Sequence, residues 1–146
     1  SLSFPLFSSQ AMEHPKVNPL LATREPRFVY FTAARSLVPG KAAPPQAIVK
    51  LDVKSGSVSS WAPGRRCFCE EIVFVPATGG GEEGQQQKED AGFLLAMVFD
   101  ASRGASSLAI LDAADVSKGP VARVWLKHHV PHGLHGEWCS GSAVGF

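Results

Sequence analysis

The sequence predicts an all-β chain made of antiparallel hairpins, and three observations carry that prediction. β-Branched and aromatic runs recur along the chain, each closed by Gly, Pro, Asp or Ser. The 14 glycines and 11 prolines of the 146 residues fall so that few windows could stay helical. Within the second run, Ile48, Lys50 and Asp52 alternate with Val49, Leu51 and Val53, the two-residue period of a strand with unlike faces.

Taken in order, "RFVYFTAA" (Arg27 to Ala34) reads as a strand. "QAIVKLDVKSGSVSSWAP" (Gln46 to Pro63) reads as a hairpin, with "KSG" turning the chain into "SVSSW". "EEIVFVPA" (Glu70 to Ala77) and "GFLLAMVFDA" (Gly92 to Ala101) are expected to pair antiparallel. "SSLAILDA" (Ser107 to Ala113) is followed by a polar turn and a returning strand that ends near Trp125. Only "DAADVS" has the makings of a helical turn. Between Thr78 and Gly92, "TGGGEEGQQQKEDAG" is rich in Gly and Gln and almost free of apolar side chains, so residues 78–91 are expected to be a loop inserted between two strands.

Hairpins at this pace fit a sandwich, a barrel or the blades of a β-propeller. A four-stranded blade takes about 40–45 residues, which gives room for around three. An open stack of blades leaves raw sheet edges, so a propeller reading makes the chain a fragment. The start at Ser1 without Met and the apolar end "SAVGF" also suggest a piece of a longer product, and compartment, plastid or cytoplasm, is not read from it.

The formal charge is +1 and the basic residues are scattered, so nothing points to nucleic acid. No apolar run approaches the roughly 20 residues of a membrane span. Cys67, Cys69 and Cys139 are an odd set without the spacing of a disulfide framework. The single residue inside "CFC" is too short a gap for a paired zinc knuckle, and on a strand both thiols face one way.

The segment "LKHHVPHGLHGEW" (Leu126 to Trp138) gathers four of the five histidines. A helix would put His128, His132 and His135 on one face, but Pro131 and Gly133 oppose a helix. On an extended chain His129 and His135 share a parity that His132 does not, so the four cannot converge on one ion. Spacing alone leaves solvated loop histidines and a metal ligand both open.

The run Pro131-His132-Gly133-Leu134-His135-Gly136 resembles the closing Pro-Tyr-Gly-(Phe/Leu)-His-Gly motif of the carotenoid cleavage dioxygenases, the carotenoid oxygenase family that includes the retinal-pigment isomerase. "MEHPKVNP" (Met12 to Pro19) looks like that family's Glu-Phe-Pro-Arg-Ile-Asn-Pro, and "EIVFVP" (Glu71 to Pro76) looks like its Glu-Pro-Ile-Phe-Val-Pro. "EDAG" (Glu89 to Gly92) is similar to its acidic turn. Departures are His14 for Phe, Lys16 for Arg, Ile72 for Pro and His132 for Tyr.

The resemblance implies the C-terminal blades of a seven-bladed β-propeller over residues 1–146. It further implies His135 as one of four histidine ligands of Fe(2+), with Glu71 and Glu13 as carboxylates that orient ligand imidazoles. His14, His128 and His129 match no ligand position, and no residue of the chain takes a catalytic or further cofactor-binding role. The full-length parent would split a polyene double bond of a carotenoid or apocarotenoid with O2 into two carbonyl products. Peripheral membrane contact of that parent is left open. With one ligand of four, the fragment alone is expected to be inactive. A retinoid isomerase of the same family and a non-catalytic propeller module or truncated product are the alternatives.

Overall fold

The protein is described by a computed structural model that covers residues 12–21, 23–34, 43–77 and 88–139. Among these residues eight strands form two four-stranded antiparallel sheets. The first holds, in spatial order, β1 (Met12–Lys16), β2 (Phe28–Ala34), β3 (Pro45–Asp52) and β4 (Val58–Trp61). The second holds β5 (Cys67–Pro76), β6 (Gly92–Asp100), β7 (Ala105–Asp112) and β8 (Pro120–Trp125). Each sheet is a simple meander in which every strand pairs with the next, as hairpin signals demand. Both antiparallel pairings expected from the sequence, β3 with β4 and β5 with β6, are present. The space judged sufficient for around three blades is used by two sheets among the described residues, because strands of up to 10 residues and the 78–91 segment consume it. Most of that segment, residues 78–87, lies outside the described residues.

β1 was not expected as a strand. "MEHPK" has no β-branched residue and contains Pro15; its extended state comes from pairing with β2, which tertiary context can impose against propensity. The polar turn after β7 holds one 3-10 turn, Val116–Lys118, where Asp115 accepts a hydrogen bond from the Ser117 N–H at 3.1 Å. A second covers Pro19–Leu21.

The main core lies between the sheets. Tyr30 and Ile48 from the first meet Cys69, Ile72, Phe74, Leu94, Val98 and Leu111 from the second, all buried. Each large aliphatic side chain so buried contributes about 1.5–3 kcal/mol. Alternation then decides the rest: Val73, Leu95, Met97, Phe99 and Leu108 fall on the opposite face of the second sheet. Gly92 opens β6 because a Cβ there would meet the Val75 carbonyl oxygen at 2.5 Å.

Polar groups also join the sheets. Lys50, buried on β3, reaches Asp90 at 2.7 Å and the Ala114 carbonyl at 2.8 Å, with its ammonium 4.2 Å from the Phe28 ring centre. The neighbouring Glu89 carboxylate accepts the backbone N–H groups of Arg27 and Phe28 at 2.7 and 2.8 Å. The Glu89–Asp90 turn thus satisfies backbone donors where β2 begins, a polar seal that would otherwise have to come from water. Tyr30 adds a buried hydroxyl bond to the Ala113 carbonyl at 3.0 Å.

Candidate metal centre

The site begins with two interruptions of strand pairing. In β5, Cys69 pairs with Val98 and Ile72 with Ala96, so one extra residue stands on the β5 side. A β-bulge of this kind puts two consecutive side chains opposite one partner residue. Burial follows it: Cys67 and Cys69 face the core, Glu70 and Glu71 both do not, and Ile72 and Phe74 face it again. Glu70 and Glu71 therefore point to one side of the sheet. In β1 the register also shifts between Glu13 and Lys16, and His14 there holds the left-handed φ of 56°. Bulges commonly re-aim side chains at sheet rims and functional sites.

Residues 126–139 leave β8 as an extended strap across the outer face of the second sheet, without helix. The Leu126 N–H bonds the Ser106 carbonyl at 2.9 Å and the Val130 N–H bonds Ser106 Oγ at 2.9 Å. Further on, His132 Nδ1 contacts Glu70 Oε1. At the far end, His135 Nδ1 lies 3.4 Å from Glu71 Oε1 and the Gly136 N–H donates to Glu71 Oε2 at 2.6 Å. Lys16 Nζ, from β1, reaches the same Glu71 Oε1 at 2.7 Å.

Glu71 is thereby surrounded by donors, with its side chain only 8% exposed. Burial pushes its carboxyl upward, but the Lys16 ammonium, the Gly136 N–H and His135 outweigh that and hold it below its ordinary value. An ionised carboxylate on Nδ1 fixes the Nδ1–H tautomer of His135 and leaves Nε2 as its lone-pair atom. The ring is 72% exposed, on the side away from Glu71. That donor arrangement fits a metal-bound imidazole. Among the described residues, no three His, Cys, Asp or Glu side chains come together in a way that could hold a metal.

Residues 5–140 match the family described as Retinal pigment epithelial membrane protein. The apocarotenoid-15,15'-oxygenase of Synechocystis is 40% identical over 135 residues, covering 91% of this chain and 26% of that protein. A carotenoid 9,10(9',10')-cleavage dioxygenase of Crocus sativus is 33% identical over 138 residues, covering 88% and 24%. The solved cobalt-substituted form of the Synechocystis oxygenase superposes with a TM-score of 0.79 at 38% identity, over 90% of this chain and 26% of that one.

The chain belongs to the carotenoid oxygenase family. It spans about a quarter of the length of the curated relatives it matches. Its two sheets are β-propeller blades, and β1 and β5, the first strands of the two, lie side by side. In this carotenoid oxygenase chain, Lys16 on β1 and Glu71 on β5 close that junction.

Of the residues singled out in the sequence, His135 and Glu71 are brought together and Glu13 is not. Glu13 is exposed, and it is its backbone carbonyl that accepts, from Thr32 Oγ1 at 3.2 Å. That hydroxyl proton being spent, Thr32 Oγ1 can only accept from His14 Nδ1, 3.1 Å away, which sets the His14 tautomer. His14 also sits beside the site: its ring centre is 6.2 Å from that of His135, edge to face. His129 packs edge-on against Phe99 with ring centres 5.0 Å apart.

Sequence reasoning missed Glu70 and Lys16 as members of the site. The signal for Glu70 was present: the apolar parity of "CFCEEIVF" switches between Cys69 and Ile72, which requires a bulge at the two glutamates. Beneath the strap, Val73, Leu95, Met97, Phe99 and Leu108 with Val130 and Leu134 line a cavity of 320 Å³.

Proposed function

We propose that the chain is the C-terminal part of a carotenoid or apocarotenoid cleavage dioxygenase and that His135 supplies one of the imidazole ligands of its Fe(II). The observation that carries this reading is the hydrogen bond from His135 Nδ1 to a nearly buried, ionised Glu71, which orients the ring and leaves Nε2 for the metal. When bound, the iron supplies the chemistry by which O2 reacts with a polyene double bond, and both oxygen atoms end in the two carbonyl products. Glu71 raises the basicity of His135 and aims it. Lys16 neutralises the buried charge, and Gly136 locks the strap beside the ligand. Glu13 is proposed as the orienting partner of a ligand imidazole from another blade, which accounts for a carboxylate exposed on the first strand of its sheet.

The test uses a chimera in which residues 5–140 replace the matching quarter of the Synechocystis oxygenase. His135→Ala should abolish iron retention and cleavage of an apocarotenoid while the fold persists, because an imidazole that binds the metal is lost. His132→Tyr should keep both. Full iron in His135→Ala, measured by metal analysis, would overturn the assignment.

A further inference from the structure

The β5 bulge presents two carboxylates to the strap, and the reading above uses only Glu71. We infer that Glu70 and His132 form a second carboxylate–imidazole pair whose role is to position the ligand-bearing end of the strap. The inference rests on His135 being the ligand, and it goes beyond that reading in naming a positioning pair for it.

Geometry carries the argument. Val130 is fastened to Ser106 on β7, and His135 and Gly136 are fastened to Glu71 on β5. Between them lies a span over the cavity, where Pro131, Gly133 and Leu134 make no hydrogen bond to the sheet among the described residues. Gly133 adds backbone freedom there, and a Cβ at that position would touch nothing within 4 Å. His132 Nδ1 on Glu70 Oε1 is the one polar anchor in that span. His132 also stands edge-on to Phe99, with ring centres 6.3 Å apart, so its imidazole is held on the apolar floor as well as at the carboxylate.

The spacing follows from the bulge. In an unbroken two-residue period one of these adjacent glutamates would face the core between the sheets and only the other would meet the strap. With the extra residue, histidines three apart on an extended strap can each meet one of two adjacent carboxylates. Because the resembling motif carries Tyr at this position, a phenol O–H donating to Glu70 would serve the same purpose. His132 is then a positioning residue whose essential property is a ring with a donor.

Amide hydrogen exchange in the 146-residue chain tests this. His132→Phe, which keeps a ring and removes the donor, should speed exchange at Gly136 by about three- to fivefold, the scale of one hydrogen bond lost at a partly exposed site. The Val130 amide, held by Ser106, should not change. His132→Tyr should restore Gly136 to the original rate, and Glu70→Ala should reproduce His132→Phe without disturbing the core. In the iron-loaded chimera, His132→Phe should hasten iron loss to a chelator, and His132→Tyr should not. Unchanged Gly136 exchange in His132→Phe and Glu70→Ala, or no rescue by Tyr, would overturn the inference. Failure of the ligand assignment looks different: iron would then survive His135→Ala while Gly136 still responded to His132→Phe.

Discussion

Glu71→Gln isolates the charge of the orienting carboxylate from its shape. In the native site Oε1 receives Lys16 Nζ at 2.7 Å and His135 Nδ1 at 3.4 Å, while Oε2 receives the Gly136 N–H at 2.6 Å. A glutamine has one acceptor oxygen and one NH2. If its oxygen faces Lys16 and His135, the NH2 opposes the Gly136 N–H; the reverse placement sets the NH2 against two donors. The first orientation loses fewer bonds and should prevail. One hydrogen bond to a charged group is then lost, about 1.5–3 kcal/mol where the groups are buried. Gly136 is exposed and regains water, so about 1–2 kcal/mol is expected, or roughly 5- to 30-fold faster exchange of its amide. His135 keeps its acceptor but loses the negative charge that raises its basicity, so iron affinity in the chimera should fall about 10–100-fold. Chelator competition reads the second figure and amide exchange the first. Glu13→Gln is the control for the exchange measurement alone: its carboxylate touches neither His135 nor Gly136 and should leave the Gly136 rate unchanged, whereas iron affinity in the chimera should fall through the ligand imidazole that Glu13 is proposed to orient. Iron affinity within about twofold of the original in Glu71→Gln would show that charge on the ligand's partner is immaterial, and the argument for Glu71 would fall.

Other consequences can be checked on the chain itself. Lys50→Met removes a buried ammonium from Asp90 and the Ala114 carbonyl; it should cost about 3 kcal/mol in urea unfolding, at the low end for a broken buried pair because Asp90 is partly exposed. Adding Asp90→Asn should recover part of that loss, as coupled neighbours do, and a cost of Lys50→Met below about 1 kcal/mol would refute the seal between the sheets. Burial pushes the Cys69 thiol up to about 12, whereas Cys139 is exposed, so a thiol reagent at neutral pH should label Cys139 in the folded chain and spare Cys69 until unfolding. The Arg27 guanidinium holds the Asp52 carboxyl well below its ordinary value. Its stabilisation is therefore complete above the ordinary carboxylate range and lost as pH falls below it, and Asp52→Asn should flatten the acid limb of a pH–stability curve.

What the sequence made legible was whatever is local. The hairpins at Lys54 to Gly56 and after Asp112 follow from turn chemistry next to alternating strands, and they appear in the fold with the expected partners. The common face of Cys67 and Cys69 followed from the same period. β1 was hidden because nothing inside "MEHPK" favours a strand, and its partner β2 begins 12 residues after it ends. The seal of Glu89 on Arg27 and of Asp90 on Lys50 joins groups 40 to 62 residues apart, beyond the reach of any periodicity.

The site shows the same division more sharply. Residue spacing left the histidines of the strap open between loop and ligand, and parity set His132 apart from His129 and His135 on an extended chain. The resemblance made Glu71 and Glu13 orienting carboxylates for ligand imidazoles, but neither route put His132 on a carboxylate of its own. That required the extra residue in β5, which turns two adjacent glutamates to one side and gives each histidine a separate partner. The bulge in β1 acts in parallel: by shifting register at His14 it brings Lys16 to Glu71 and the His14 ring beside His135. Two irregularities at the starts of neighbouring blades thus assemble what neither strand could present alone. Removing one β5 residue, by deleting Glu70, should restore regular pairing without unfolding the sheet; Glu71 would then follow Cys69 directly and keep the strap side of the unbroken period, Ile72 would stay in the core, and His132 would lose its carboxylate. A chimera with that deletion should therefore still bind iron but release it to a chelator faster, as His132→Phe does, and iron lost as completely as in His135→Ala would show that Glu71, too, depends on the bulge for its aim.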